Sequence, residues 1–478
     1  MKQPNVVYLL ADQLRARSLP AFGEGQIATP NIDRLVREGI RFTNAVATCP
    51  LCAPYRSMLV TGRQPLETGH IVNNVRARHD EISIADAFGH AGYRTGWVGK
   101  WHLYSGERPE IVDFEYIPDG RDRLGFDFFR AYNYHTQYFD GPLCLDGGGH
   151  ERWRGYETTG LLPYVDEFVD AATATGEPFC LFVAPHMPHH GGAIPGGRVT
   201  QDVSPSGRLA PDDCLSRVPE QPAPPANVPS ELLAEATDCY RDYLAMTVAV
   251  DDMLGTILQR LRRDDLVDDT IVVFGSDHGS LMGAHGLQPW QKRTPWEESV
   301  SVPLMVRLPG GRRGGSVCDA LVAPEDLFPT LCGLCGIDVP RTVSGRNQAD
   351  VWLGRAGAAE RQALFTYCID DALLTGTTGS EWKGVRTGRW SYWRCLDGGT
   401  ALYDIGADPL QLRDLVDSED HRPVVARLEA TLERFMREWN DTMQPATEYL
   451  NWFQGRRIVR NTFGALGDPL AEPDWSLL

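Results

Sequence analysis

The sequence contains no apolar run close to the roughly 20 residues that a membrane-spanning helix needs. It also contains no internal repeat and no low-complexity segment, which argues against a repeat array. The first five residues lead directly into a strand-like run and leave no room for a secretory leader. We therefore expect a globular protein that stays in the cytoplasm.

Positive charge is scarce, since 46 Lys and Arg face 64 Asp and Glu and give a net charge of −18. Surfaces that bind nucleic acid or anionic membranes need an excess of Lys and Arg to neutralise phosphates. We therefore expect neither partner, and an anionic small substrate would require a local basic pocket. The sequence leaves the oligomeric state open, a homo-oligomer included.

Cysteine is present, but not in the pattern of a disulfide scaffold. The 11 cysteines are an odd number scattered along a long chain, whereas such scaffolds are dense and even. Two Cys-x-x-Cys pairs, Cys49 to Cys52 and Cys332 to Cys335, leave zinc or redox sites as alternatives. The second pair falls in an apolar helical pattern, and the pairs lie far apart without suitable histidine spacing. We therefore expect mostly free, buried thiols.

Four short apolar runs have the character of buried parallel strands, and each ends abruptly in polar, titratable residues. They are residues 6–10 before Asp12 and Gln13, 96–98 before Lys100 and His102, 180–183 before His186, and 271–274 before Asp277 and His278. Ligands of open α/β sheets bind beyond the carboxyl ends of the strands. These polar residues are therefore predicted to converge on one crevice.

The length of 478 residues favours one large domain plus a smaller one. Amphipathic stretches at residues 31–38, 83–90 and 232–261 predict helices between the strands, hence a mainly parallel sheet covered by helices. After about residue 370, short aromatic runs and a helical pattern at 423–439 predict a small antiparallel sheet with one helix. We predict a catalytic α/β domain over 1–370, a small C-terminal domain over 371–445 and a tail over 446–478.

The segment around Cys52 is the most specific in the sequence. Pro54 stands two residues after this cysteine and Arg56 four residues after it, and a short helical stretch closes at Thr61 and Gly62. A proline suits the first helical turn and a glycine the helix end. Residue 52 is therefore predicted at a helix N-terminus, where developing negative charge is favoured. The alternative is a plain buried thiol on a loop.

This segment closely resembles the signature of the sulfatase family, in which the cysteine is oxidised to formylglycine. The resemblance covers most of the chain, with further matching segments at 5–13, 29–35, 99–102, 185–188, 276–279, Gly286, Lys292, 297–299, 302–303, 402–405 and 408–409. It implies an alkaline-phosphatase-like α/β fold, with helices on both faces of a mostly parallel sheet and a small C-terminal α+β domain. It also implies hydrolysis of a sulfate monoester by the hydrated aldehyde, and a formylglycine-generating enzyme as maturation partner.

Asp12, Gln13, Asp277 and His278 form an oxygen-rich set with one imidazole, which suits a hard divalent cation. The resemblance implies Ca²⁺ or Mg²⁺, with one oxygen of the modified residue 52 completing the set. Gln13 and His278 replace the Asp and Asn of many family members, which lowers the negative charge and leaves Mn²⁺ open. The alternative is that each Asp merely caps a helix.

Cations must face a transferring oxyanion, and Arg56, Lys100 and Lys292 are the candidates, although each alone would usually be a solvated charge. The resemblance implies that Arg56 orients the formylglycine hydroxyls and that Lys100 and Lys292 contact the sulfuryl group. It also implies His102 as the base that takes the second hydroxyl proton and His186 as the residue facing the leaving oxygen. Asn73 matches a polar substrate contact, or is a turn residue. Weaker candidates are His189, His190 and His285.

Two rivals remain at this point. One is a phosphonate or phosphate ester hydrolase with the same residues, which the pair Lys100 and His102 disfavours. The other is an inactive sugar-binding or scaffold protein of the same fold, which would have lost a nucleophile or ligand, and none is lost. The alcohol of the sulfate ester, whether aryl, sugar or alkyl, stays open.

Overall fold

The computed structural model of the protein describes residues 3–23, 25–73, 75–105, 117–135, 137–190, 204, 206–369, 381–449, 458–459, 462–463 and 471–478. Within these ranges no helix combines the length and the apolar character that crossing a bilayer requires. Most of the described chain is built around one large sheet, and a smaller sheet follows near the C-terminus.

The large sheet has ten strands. They are β1 (Asn5–Ala11), β2 (Ile40–Ala45), β3 (Arg94–Lys100), β4 (Phe128–Tyr132), β5 (Pro142–Cys144), β6 (His150–Arg152), β7 (Phe179–Ala184), β8 (Thr270–Ser276), β9 (Leu304–Arg307) and β10 (Ser316–Val322). Their spatial order is β10-β2-β9-β8-β1-β7-β3-β4-β5-β6. The five strands from β8 to β4 are mutually parallel, and antiparallel pairs occur toward the edges.

The four predicted strands are confirmed as β1, β3, β7 and β8, and they lie side by side. Leu9 pairs with Val183 on one side and with Phe274 on the other, and Val98 also pairs with Val183. Because parallel strands in this register end at one edge, the polar residues that follow them meet there.

Helices cover both faces of this sheet, as predicted. They are α1 (Pro30–Glu38), α2 (Cys52–Thr61), α3 (Pro65–Thr68), α4 (Ile84–His90), α5 (Glu157–Gly160), α6 (Leu162–Thr175), α7 (Asp212–Leu215), α8 (Leu233–Arg263), α9 (Glu297–Val300), α10 (Pro324–Cys335) and α11 (Ala349–Trp352). Successive side chains of a strand point to opposite faces. Accordingly, Val7 and Leu9 join the core beneath α8, whereas Tyr8 and Leu10 join the core beneath α2, α4 and α10.

The small sheet is antiparallel, with strands β11 (Leu364–Cys368), β12 (Trp382–Arg386), β13 (Trp390–Cys395) and β14 (Thr400–Asp404). One helix, α12 (Arg422–Glu438), packs on it through Leu428, Leu432 and Met436, which recur every four residues and are buried. The predicted antiparallel sheet with one helix is therefore confirmed. A short pair, β15 (Ile458–Val459) and β16 (Thr462–Phe463), follows.

The small sheet begins at Leu364, six residues before the predicted boundary at residue 370. Residues 370–380 lie outside the described residues, and so does most of the predicted tail. The last described residues contact the large unit, where the backbone N–H of Arg341 donates to Leu477 O at 2.9 Å. Met58 of α2 shares a core cluster with Phe365 and Tyr367 of β11, so the two units are packed together.

A buried ion pair also joins the two units. Arg386 of β12 donates to both carboxylate oxygens of Glu297 in α9, at 2.8 and 3.0 Å. Both residues are less than 10% exposed. Removing one partner of such a pair leaves an uncompensated buried charge.

Arg386→Ala is therefore expected to lower the free energy of unfolding by about 3–5 kcal/mol. Arg422 is the matched control, because its side chain is 72% exposed and its partner Glu419 is 82% exposed. Arg422→Ala should change the same quantity by about 1 kcal/mol or less. Urea unfolding curves of both variants measure the difference, and equal losses would contradict a special role for the buried pair.

Candidate active site

Five predicted residues meet at the carboxyl edge of the large sheet. Asp12 directly follows β1, Lys100 ends β3, His186 follows β7 by two residues and Asp277 directly follows β8. Cys52 is the first residue of α2, which approaches the same edge. All five are at most 1% exposed. The predicted convergence of strand ends is thus confirmed.

Arg56 holds the two carboxylates of this site together. Its Nη2 donates to Oδ2 of Asp12 at 3.0 Å, and its Nε and Nη2 donate to Oδ2 of Asp277 at 3.2 and 3.1 Å. Its Nη1 donates to the backbone oxygen of Lys100 at 2.7 Å. The guanidinium group therefore fixes the relative positions of β1, β3, β8 and α2.

The two carboxylates have opposite pKa shifts. Burial opposes ionisation of Asp12, but Lys100, whose Nζ lies 2.5 Å from Oδ2, leads the cations that hold its pKa well below the usual range. Burial and the charge of Asp12 raise the pKa of Asp277. Like charges side by side in a dry site cannot ionise equally easily. A further cation would favour ionisation of both.

The Cys52 thiol lies at the centre of the site, at the position where the resemblance implies an oxidised residue with an oxygen in place of Sγ. Sγ lies 3.1 Å from Nε2 of His278, 3.3 Å from Nζ of Lys292 and 4.0 Å from Oδ1 of Asp12. Burial and the Asp12 charge oppose ionisation, but Lys100, Lys292 and His278 hold the thiol pKa well below its usual range. The site therefore favours a negatively charged group at this position.

The donor atoms of Asp12, Cys52, Asp277 and His278 all lie within 4.8 Å of one another. His278 Nδ1 lies 3.0 Å from the backbone oxygen of Gly279. Because a carbonyl only accepts, Nδ1 carries a proton, and Nε2 is the ring nitrogen that faces the cluster. Two carboxylates, one imidazole and an oxygen at position 52 fit a hard divalent cation.

Gln13 is held in a left-handed backbone conformation with φ 66°. Its Nε2 donates to Ser280 Oγ and to the Trp290 backbone oxygen, both at 2.9 Å. These bonds assign its Oε1 to the opposite side, where Lys292 Nζ lies 3.0 Å away. Since Lys292 also reaches Cys52, the Gln13 oxygen faces the same cluster.

Two predicted histidines are buried at this site, and one of them contacts the thiol. His102 contacts the Cys52 side chain, and burial lowers the pKa of this imidazole to about 4. Its Nδ1 has no partner among the described residues, so its Nε2 makes the contact with Cys52. Both ring nitrogens of His186 are buried without a described partner, and burial lowers its pKa well below the usual range.

Other predicted residues have different surroundings. Asn73 Oδ1 accepts the backbone N–H of Ala53 at 3.0 Å, so it supports the start of α2. His285 stacks on Trp296, with ring centroids 3.7 Å apart, and pairs with Glu298. His189 does reach the site, because its Nε2 lies 2.9 Å from Lys292 Nζ.

The Cys49 thiol interacts with Cys368 of the small sheet, and Cys332 and Cys335 are buried in α10. Among the described residues, the cluster with metal-ligand spacing contains Cys52 and no other cysteine. The alternative of a joint zinc site for the two pairs is therefore not supported. The expectation of free, buried thiols fits all these cysteines.

Sequence reasoning missed residues that follow β4. Tyr134 stacks on His102 with ring centroids 5.0 Å apart, and its ring lies 5.1 Å from Lys100 Nζ. His135 lies 6.1 Å from His186 between ring centroids, and its buried Nε2 has no described partner. The change from β4 to polar residues was a usable signal, because Tyr132 pairs with Lys100 at the same sheet edge.

Glu157 was also missed, because nothing in the local sequence marks it. It is fully buried, and its Oε1 accepts the His186 backbone N–H at 2.9 Å and the Tyr132 hydroxyl at 2.5 Å. Its Oε2 has no hydrogen-bond partner among the described residues. Burial raises the pKa of this carboxyl to about 8. Glu157 thus fixes the backbone of His186.

Comparisons with known proteins identify the same segments. A family model described as sulfatase matches residues 4–337, and one described as the C-terminal region of N-sulphoglucosamine sulphohydrolase matches residues 283–438. An ulvan-active sulfatase of Formosa agariphila is 30% identical over 94% of this chain and 84% of that protein. An N-acetylglucosamine-6-O-sulfatase of Bacteroides thetaiotaomicron is 25% identical over 96% of this chain and 91% of that protein.

A solved structure from work on glycosaminoglycan metabolism by Bacteroides thetaiotaomicron has the same architecture. The TM-score is 0.78 at 25% identity, covering 94% of this chain and 98% of that chain. The predicted fold class is therefore confirmed over nearly the whole chain.

The raised pKa of Glu157 predicts a pH dependence of stability. The folded protein retains this proton up to about pH 8, whereas the usual value is 4.5, so the free energy of unfolding falls as pH rises through this window. Glu157→Gln keeps the shape and cannot ionise. Between about pH 5 and pH 8, the melting temperature of Glu157→Gln should fall less than that of the protein with Glu157 in place.

Differential scanning calorimetry across this range measures the two slopes. The exposed Glu220 provides the control, since Glu220→Gln should keep the slope of the unmodified protein. Parallel slopes for Glu157→Gln and the unmodified protein would show that Glu157 is ionised in the folded state.

Proposed function

The chain belongs to the sulfatase family and is a sulfuric ester hydrolase, and we propose that it cleaves sulfate monoesters of carbohydrates with residue 52 as nucleophile. The observation that carries the proposal is the position of Cys52 Sγ, at the start of α2 and within 3.3 Å of both Lys292 and His278. A helix N-terminus and a lysine together favour a transferring anion.

Formylglycine made from Cys52 supplies, when hydrated, the hydroxyl that attacks sulfur. Lys292, whose Nζ lies 3.3 Å from Cys52 Sγ, and Lys100, whose charge also lowers the Cys52 pKa, would stabilise negative charge on the sulfuryl oxygens. Arg56 is saturated by Asp12, Asp277 and the Lys100 backbone, so its role is to orient these groups. Because Lys100 also pairs with Asp12, little net positive charge is left for the ester, and this suits a monoanionic ester better than a dianionic one.

His102 and His186 handle the protons on opposite sides of the reaction. His102 is neutral near pH 7, because its pKa lies at about 4, and its Nε2 can accept a proton from the side chain at position 52. Neither ring nitrogen of His186 has a partner among the described residues, and one N–H can donate to the oxygen of the departing alcohol. Glu157 keeps His186 in place through its backbone.

Asp12, Gln13, Asp277 and His278, with the side chain at position 52, would hold one divalent cation, proposed as Ca²⁺ with Mg²⁺ or Mn²⁺ as alternatives. Such a cation supplies fixed positive charge next to the nucleophile. The support is the spacing of the donor atoms of Asp12, Cys52, Asp277 and His278, which lie within 4.8 Å of one another. Gln13 is included because its Oε1 lies 3.0 Å from Lys292 Nζ, which also contacts Cys52. The hard oxygen donors favour Ca²⁺ or Mg²⁺ over softer metals.

The carbohydrate class is supported by the side of the site that faces the departing alcohol. His135, His186 and His189 are buried there, each with at least one ring nitrogen that lacks a partner among the described residues. Buried nitrogens without partners are unfavourable, and an alcohol with several hydroxyls would satisfy them. The names of the relatives are consistent with such an alcohol.

Maturation by a formylglycine-generating enzyme and a cytoplasmic location are further parts of the proposal. The first is supported by Pro54 and Arg56 at the offsets of the family signature. Peptide mass spectrometry of residue 52 after co-expression with such an enzyme tests the first part.

A matched panel of sulfated sugars, aryl sulfates, phosphate esters and phosphonate esters tests the reaction. We expect kcat/KM for a sulfated sugar to exceed that for the matching phosphate at least tenfold, about 1.4 kcal/mol in the barrier. Cys52→Ala is the control and should abolish turnover of every member. A kcat/KM tenfold higher for phosphonate esters would assign the site to phosphonate hydrolysis. A kcat/KM tenfold higher for aryl sulfates than for sulfated sugars would contradict a sugar as the alcohol of the substrate.

Elemental analysis of the purified protein tests the metal site. Asp277→Asn keeps the shape of the side chain but removes its charge, so bound calcium per chain should fall at least about tenfold. Asp146→Asn changes a partly exposed carboxylate that pairs with Arg130 and should leave the metal content unchanged. Equal metal content in both variants would place the ion elsewhere.

A further inference from the structure

A cavity of about 720 Å³ is lined by α12, by residues 387–389 between β12 and β13, by residues 360–363 before β11, and by Arg346. Five arginines and two glutamates line it, namely Arg346, Arg361, Arg389, Arg427, Arg434, Glu360 and Glu438. The whole chain has a net charge of −18, so this arginine groove is a local exception to an acidic protein. Such an exception marks a site for an anionic ligand.

The arginines of the groove differ in whether an acidic side chain already neutralises them. Arg361 pairs with Asp326, and Arg389 pairs with Asp404. Arg346 and Arg427 are exposed and form no ion pair with any described residue. Arg434 has a weak partner, Glu438, at 3.9 Å. The net positive charge of the arginine groove therefore comes mainly from Arg346, Arg427 and Arg434.

The shape of α12 aligns these charges along the cavity. Arg427 and Arg434 are seven residues apart, which places them on one helix face about 10 Å from each other. Thr431 lies between them on the same face, and Leu428 and Phe435 supply apolar surface in the same cavity. Alternating cationic, hydroxyl and apolar groups match the sulfates, hydroxyls and C–H faces of a sulfated sugar chain.

The arginine groove is remote from the reacting atom. Gly62, which ends α2, accepts hydrogen bonds from the backbone N–H groups of Ser344 and Gly345 at 3.0 Å, next to Arg346. Cys52 is at the other end of α2, which spans ten residues or about 15 Å. A ligand in the arginine groove therefore does not occupy the space at residue 52.

We propose that the arginine groove binds a segment of a sulfated polysaccharide and retains a polymeric substrate while its esters reach residue 52. This inference rests on the proposed carbohydrate function. Sulfate groups on the bound segment pair with Arg346, Arg427 and Arg434. The acidic surface beyond the groove repels long polyanions, so we expect moderate affinity that falls steeply with salt.

The test uses fluorescein-labelled dextran sulfate, with neutral dextran and single-stranded DNA as comparison probes. Binding is measured by fluorescence anisotropy in the Cys52→Ala background, so that no ester is cleaved. The double variant Arg346→Ser/Arg427→Ser should bind dextran sulfate at least about tenfold more weakly. For this variant, the slope of log affinity against log salt concentration should be smaller in magnitude by about two, which is about one for each lost ionic contact.

The matched control is Arg34→Ser/Arg37→Ser, which removes two exposed arginines from α1. This variant should keep the affinity and the salt slope for dextran sulfate. With Cys52 intact, the Arg346→Ser/Arg427→Ser variant should have an unchanged kcat/KM for a sulfated monosaccharide and a lower kcat/KM for a sulfated polymer.

Equal affinities of the groove and control variants for dextran sulfate would overturn the proposal. The proposal would also be overturned if single-stranded DNA bound as tightly as dextran sulfate and lost affinity to the same extent in the Arg346→Ser/Arg427→Ser variant. That outcome would define a general polyanion site. Binding of dextran sulfate does not require turnover. If dextran sulfate binding depends on the groove but no sugar sulfate is cleaved, the proposed function is rejected, whereas the arginine groove still stands as a binding site for sulfated polysaccharide.

Discussion

Two buried carboxylates at adjacent strand ends are the constraint on which this site depends. Asp12 and Asp277 follow neighbouring parallel strands, and their charges would repel each other in a site without water. Arg56 bonds to both, and Lys100 bonds to Asp12. The position of α2, and with it that of residue 52, follows from the need to place Arg56 between the two carboxylates.

The same arrangement explains how positive charge is divided within the site. Arg56 is held by two carboxylates and a backbone carbonyl, whereas the Nζ of Lys292 contacts Gln13, Cys52 and His189, none of which is a carboxylate. A rigid planar guanidinium suits the permanent structural contact, and a flexible ammonium suits contact with a group that changes during a reaction. Structure and reactivity thus use different cations.

Much of the fold and site followed from the sequence because strand ends are local signals. The apolar runs before Asp12, Lys100, His186 and Asp277 specified buried strands, and the parallel register then brought their ends together. Glu157 could not be found in this way, since it contacts His186 through the backbone across 29 residues. The resemblance implied Asn73 as a polar substrate contact, with a turn residue as the alternative. The hydrogen bond that its Oδ1 accepts from Ala53 is a contact that sequence spacing does not specify.

The nucleophile helix belongs to two cores at once, which sets an order for the assembly of the chain. Cys49 and Met58 pack with Phe365 and Tyr367 of the small sheet, and the backbone N–H of Tyr367 donates to Thr48 O at 2.8 Å. During synthesis from the N-terminus, the segment around residue 52 is made long before the strand that covers it. Its packing against Phe365 and Tyr367 therefore cannot be completed until synthesis has reached the last quarter of the protein.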